Sequence, residues 1–164
     1  MRNLIAVFFA GIISASGPNL PAIPDNLKPP AGARIVLDAQ AAGDQVYSCD
    51  GANWVLSRPD AKLFDDSGKQ IGSHFAGPTW EYSDGSRVIG KMTASATLDS
   101  DSIPWLLLEA RDHQGDGLMT QVTSIQRLST SGGKAPASGC DGAHKGQETR
   151  SHYTAIYVFY AGAQ

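Results

Sequence analysis

Apolar runs of three to twelve residues recur along this chain, broken by Asp-Gly, Ser-Gly and glycine-rich turns. Ala33–Asp38 and Gln45–Cys49 are two such runs, and Asn53–Ser57 follows across Asp50-Gly51. Ala61–Phe64 and Gln70–Phe75 flank Asp65-Asp66-Ser67-Gly68, and Trp80–Tyr82 and Arg87–Leu98 flank Ser83-Asp84-Gly85-Ser86. Ile103–Asp112 and Leu118–Leu128 flank a third turn around Gly115-Asp116-Gly117. Strand, tight turn and strand is the signature of an antiparallel hairpin. Repeated at this spacing, it predicts an all-β domain, either an antiparallel β-sandwich or a closed β-barrel. No segment of helical length carries a clear 3.6-residue period, and only Leu106–Asp112 is ambiguous.

Two runs read as central strands. Ser102–Leu108 is apolar on both faces, and Tyr153–Tyr160 contains no charged residue, as expected of strands covered on both sides. An eight-stranded outer-membrane barrel has about this length, but the runs lack the steady polar-in, apolar-out alternation of a lipid-facing wall. Ser129–Arg150 has no periodicity and is rich in Gly and Ser. It reads as a long loop.

The first sixteen residues change the picture most. Met1-Arg2-Asn3 is a short basic start, Leu4–Ile13 is an apolar run of ten, and Ser14-Ala15-Ser16 supplies small residues for cleavage. These are the parts of a signal peptide, in a run too short to span a bilayer. The expected product is secreted, periplasmic or extracellular, with no transmembrane segment. Residues 17–32 hold five of the nine prolines and read as an extended arm, leaving 33–164 as a single β domain. Without Arg2, twelve basic residues (13 − 1) face sixteen acidic ones. That scattered negative balance argues against nucleic acid as a partner. Cys49 and Cys140, an even pair in an exported chain, are expected to form a disulfide. Closing so long a loop stabilises by roughly 4–5 kcal/mol through chain entropy.

Candidate chemistry concentrates in the seventeen residues His74–Gly90, HFAGPTWEYSDGSRVIG. His74 lies between aromatics, Trp80 stands beside a Gly-Pro turn as the best candidate for stacking a sugar ring, and Glu81 and Asp84 are the neighbouring carboxylates. His74, Glu81 and Asp84 are therefore the catalytic candidates, with His113 as a further base or ligand. His74, Trp80 and Arg127 are the ligand-binding candidates. The histidines, His74, His113, His144 and His152, show no metal-pair spacing, and no metal is assigned. Asp112–Gly117 lacks the register of a calcium loop. The chain also lacks a G-x-S-x-G elbow, an H-E-x-x-H motif, a phosphate-binding loop and a dinucleotide fingerprint, so no cofactor is expected.

Four blocks in order, GSHFAGPTWEYSDGS (72–86), SIPWLLLEA (102–110), VTSIQRLSTSGGKAP (122–136) with Cys140, and YTAIYVFY (153–160), resemble domain-of-unknown-function family 3455, a group of exported bacterial and fungal proteins. The resemblance covers about Val46 to Tyr160 and implies a secreted single domain without an assigned activity. Some fungal relatives bear a malate dehydrogenase label, which the absent fingerprint and β-only pattern do not support. The expected function is a non-enzymatic envelope or extracellular module binding a polysaccharide or another cell-surface component. The alternative is a small secreted hydrolase or metal-dependent enzyme centred on His74 and Glu81.

Overall fold

The computed structural model describes residues 21–163; the expected signal peptide lies outside them. Eight antiparallel strands close into one barrel in chain order. They are β1 (Arg34–Cys49), β2 (Trp54–Phe64), β3 (Gln70–Phe75), β4 (Thr79–Tyr82), β5 (Arg87–Ala96), β6 (Trp105–Gln114), β7 (Val122–Gly132) and β8 (Glu148–Ala161). β8 closes the ring by pairing with β7 on one side and with β1, over Arg34–Ser48, on the other. Of the two architectures the pattern allowed, the chain adopts the barrel.

Several boundaries differ from the expected ones for physical reasons. β1 runs unbroken through Gln40–Asp44, where the sequence offers only small and polar residues. Ala39, Ala41 and Gly43 stand in register with Tyr157, Ala155 and Tyr153 of β8, so two large rings fill the space that the small residues leave. Gly43 is required there, because a Cβ would lie 2.3 Å from the Asp60 carbonyl oxygen and 2.4 Å from Ala61 Cα. β2 continues through Pro59, which pairs with Gln45 of β1. On its other side β2 meets β3 only over Ala61–Phe64, and a proline is tolerated where a strand has one neighbour. Leu118–Gln121, expected to open a strand, is instead a 3-10 turn. Its backbone is held by Asp84 and Ser86: Leu118 N donates to Asp84 Oδ2 at 2.8 Å and Met119 N to Ser86 Oγ at 3.0 Å. Met119 is thereby turned into the core and is fully buried.

The interior is apolar and aromatic, with Trp80, Tyr153, Tyr157 and Phe159 as its largest buried side chains. Outward positions carry ion pairs such as Arg58–Glu148, Arg150–Asp60 and Lys91–Glu109. That is the reverse of the apolar outer band of a lipid-facing barrel. No helix among the described residues is long and apolar enough to cross a membrane.

One outer patch is apolar, and the N-terminal arm covers it. Leu128, Val158 and Tyr160 pack there against Ile23, Ala33 and Trp105. Gln126 Nε2 donates to the Leu27 carbonyl at 2.5 Å, and the Tyr160 hydroxyl donates to Gln126 Oε1 at 2.6 Å. This second cover explains why the end of β8 is apolar on both faces. Across the opposite end of the barrel from Met119, Cys49 and Cys140 form the disulfide, with Cα atoms 5.4 Å apart. It fixes the β7–β8 connection, which also accepts hydrogen bonds from Trp54 Nε1 at Ser138 and from the Tyr47 hydroxyl at Gly133. The expected long loop is therefore shorter than Ser129–Arg150, since β7 extends to Gly132 and β8 begins at Glu148.

Candidate functional site

The β3–β4 hairpin is short, six residues followed by four. It turns back at Ala76-Gly77-Pro78, about halfway up the barrel. β2 and β5 continue past it, so Trp54–Pro59 and Lys91–Ala96 have no strand partner on the sides facing the gap. Behind this window lies a cavity of about 560 Å³, within the size range of small-molecule sites. Leu56 and Met92, both more than half exposed, stand at its rim, and Leu106, Leu108 and Ile103 form apolar wall. His74, Trp80 and Arg127 line it, together with Gln45, Tyr47 and Tyr157.

Strand parity decides which members of the turn-rich stretch reach this cavity. His74 pairs with Trp80 across the hairpin, and both face inward; Glu81 pairs with Ser73. Adjacent residues on a strand point to opposite faces, so Glu81 faces outward. There it forms an ion pair with Arg87 at the partly exposed surface. Asp84 lies at the end of the barrel remote from the window. Its Oδ1 accepts from Ser86 N at 2.8 Å and from the Ser86 hydroxyl at 2.5 Å, and these bonds, the hydroxyl foremost, hold its carboxyl below the ordinary range. Neither carboxylate meets His74, so the expected acid–base grouping does not form.

The histidines also disperse. His113 Nε2 donates to the Val122 carbonyl at 2.8 Å, His144 Nδ1 lies 2.6 Å from Asp141 Oδ1, and His152 pairs with Asp44 on the outer surface. Among the described residues no group of three His, Cys, Asp or Glu side chains could hold a metal.

His74 is 3% exposed and stacks on Trp80, with ring centroids 4.3 Å apart and planes 6° from parallel. Tyr157 meets both rings edge-on. Nδ1 lies 2.9 Å from the Thr79 carbonyl; a carbonyl only accepts, so Nδ1 carries the proton and Nε2 the free lone pair. Burial lowers the imidazole to about 3, opposed by the bond to Thr79 and assisted by the charge of Arg127. At neutral pH the ring is therefore an uncharged acceptor and a weak base. Trp80 is 1% exposed, which corrects the expectation of an open stacking platform. Trp54 and Trp105 are half-buried, each engaged as described above.

Arg127 comes from the middle of β7, in register with Tyr157 of β8 and Leu106 of β6. It is 9% exposed. Nε and Nη2 both donate to the Pro104 carbonyl, at 3.1 and 2.8 Å. Burial raises the Tyr157 and Tyr47 hydroxyls above their ordinary value, and the guanidinium partly opposes this. Both tyrosines stay protonated near neutrality.

Sequence reasoning did not find Gln45 or Tyr47. Their signal was parity along β1, where every second residue from Ala39 to Tyr47 points inward, but it is visible only once β1 is taken as one strand.

These features define an antiparallel eight-stranded barrel with a ligand-sized cavity set into its wall. The chain belongs to the family described as Protein of unknown function (DUF3455), whose profile matches residues 30–161. No curated protein and no solved structure gives a significant match.

Proposed function

We propose that this domain is a non-enzymatic binding module, exported from the cytoplasm, that takes a small and largely apolar molecule, or an apolar group of a surface component, into the window between β2 and β5. The observation that carries this reading is the 560 Å³ cavity, with apolar walls and a few inward polar groups. Mostly apolar lining with sparse polar anchors is what small-molecule sites have in common. The rim supports it too: Leu56 and Met92 are 52% and 57% exposed beside the opening. Export is supported by the signal-like start and by a disulfide that persists in an oxidising compartment. A polysaccharide chain is the poorer occupant, because Trp80, the tryptophan lining this cavity, is 1% exposed and offers no open ring face to it.

The test uses the neutral fluorophore N-phenyl-1-naphthylamine. Fluorescence should rise saturably to one probe per chain. Met92→Trp, a change at an exposed rim position, should block the rise while leaving the circular dichroism spectrum unchanged. No saturable binding, or full binding by Met92→Trp, overturns the proposal.

A further inference from the structure

Resting on the binding reading above, we infer that the cavity selects a monocarboxylate with an apolar aliphatic or aromatic body, and that Arg127 binds its carboxylate.

The argument begins with charge. Arg127 is more than nine-tenths buried, and a guanidinium stays protonated in any protein environment. Among the described residues no Asp or Glu lies within ion-pair distance of it, whereas Arg58 at the cavity rim is paired with Glu148 at 2.6 Å. A buried cation without a counter-charge is strongly disfavoured. Two of its nitrogens share a single carbonyl, that of Pro104. The Tyr157 hydroxyl is a neutral neighbour of the guanidinium, and the side chain lines the cavity. The cavity therefore contains one positive charge without a counter-charge, carried by a group that only donates hydrogen bonds, and no acid of its own.

The remaining polar atoms are uncharged, and of them Trp80 Nε1 donates while Gln45 Oε1 accepts. Three buried side-chain atoms among the described residues have no partner, and two of them, Gln45 Oε1 and Trp80 Nε1, belong to side chains lining this cavity. His74 adds only a neutral acceptor. One guanidinium and a few neutral groups match a single negative charge; a phosphate dianion calls for more donors and more charge. The walls set the other half of the ligand, since Leu106, Leu108, Ile103 and Met92 accept hydrocarbon and offer nothing polar to a hydrophilic acid.

The experiment is equilibrium dialysis of decanoate and 2-naphthoate, each against its methyl ester, at about pH 7.5, with neutral fluorophore binding read in parallel. In the native protein each acid should bind at least about tenfold more tightly than its ester, as expected of a hydrogen bond to a buried charge. Decanoate preferred over naphthoate identifies an aliphatic body, and the reverse an aromatic one; either supports the inference. Arg127→Gln, which keeps a donor for the Pro104 carbonyl, should abolish the preference while the fluorophore still binds. Arg127→Lys, which keeps the charge, should retain part of it. Equal binding of acid and ester by the native protein overturns the inference and leaves the cavity reading standing. A preference that survives Arg127→Gln removes Arg127 as its source. If neither acids, esters nor fluorophore bind, the cavity reading itself fails and the inference goes with it.

Discussion

Mild acid should loosen this domain through a single side chain. The folded protein holds His74 at about 3, against an ordinary value of 6.5. Between those values the unfolded chain takes up a proton at His74 that the folded protein refuses. Stability is therefore fully present above about pH 6.5 and is lost as pH falls toward 3. Inside that window each pH unit removes about 1.4 kcal/mol. Acidifying from about pH 7.5 to about pH 5 should remove roughly 2 kcal/mol, a substantial part of the ~5–15 kcal/mol that typically holds a domain. The carboxylates with lowered values, such as Asp65, Asp84 and Asp141 with an ordinary value of 3.8 and Glu148 with one of 4.5, act mainly below about pH 5. Urea unfolding across this range measures the slope directly. His74→Asn supplies the control, because its amide nitrogen can still donate to the Thr79 carbonyl while nothing titrates. The variant starts from lower stability but should show a flatter pH dependence. Parallel pH profiles for the two proteins would falsify the reasoning.

Two further outcomes are expected. Glu81→Gln should change stability by less than about 1 kcal/mol, as partly exposed ion pairs do, and should leave fluorophore binding intact; lost binding would place Glu81 in the site after all. Replacing Cys49 and Cys140 together by serine removes a crosslink between residues 91 apart and should cost roughly 4–5 kcal/mol in urea unfolding, whereas a loss below about 1 kcal/mol would show that the β7–β8 connection is held without it.

The hairpins were legible because their turns are local: Asp65–Gly68 and Ser83–Ser86 carry the residues that tight turns demand within four positions. β1 was not, because its middle is specified from elsewhere. Ala39, Ala41 and Gly43 are small to make room for Tyr157 and Tyr153, more than a hundred residues later. Within one strand such residues look like a break. Leu118–Gln121 misled for a similar reason, since Asp84 and Ser86 impose its turn from another hairpin.

Within the candidate site, the stretch His74–Gly90 contributes His74 and Trp80, which line the cavity. Glu81 follows Trp80 directly, and alternation alone assigns it to the other face. That inference was available from sequence and would have separated the two. The isolation of Arg127 from any carboxylate was not available, because it depends on where every acidic side chain ends up after folding.

The closure of the ring by β8 sets the order in which this protein can come into being. β8 is the partner of both β1 and β7 and brings Tyr153, Tyr157 and Phe159 to the interior. A growing chain that has made everything up to the disulfide loop still has two unsatisfied edges and a hollow centre. Contacts spanning this much sequence form slowly, since the whole intervening loop must be closed first. Folding therefore cannot be completed before β8 has been made, and the strand made last is the one that commits the chain. A protein built this way stays threadable until almost all of it exists.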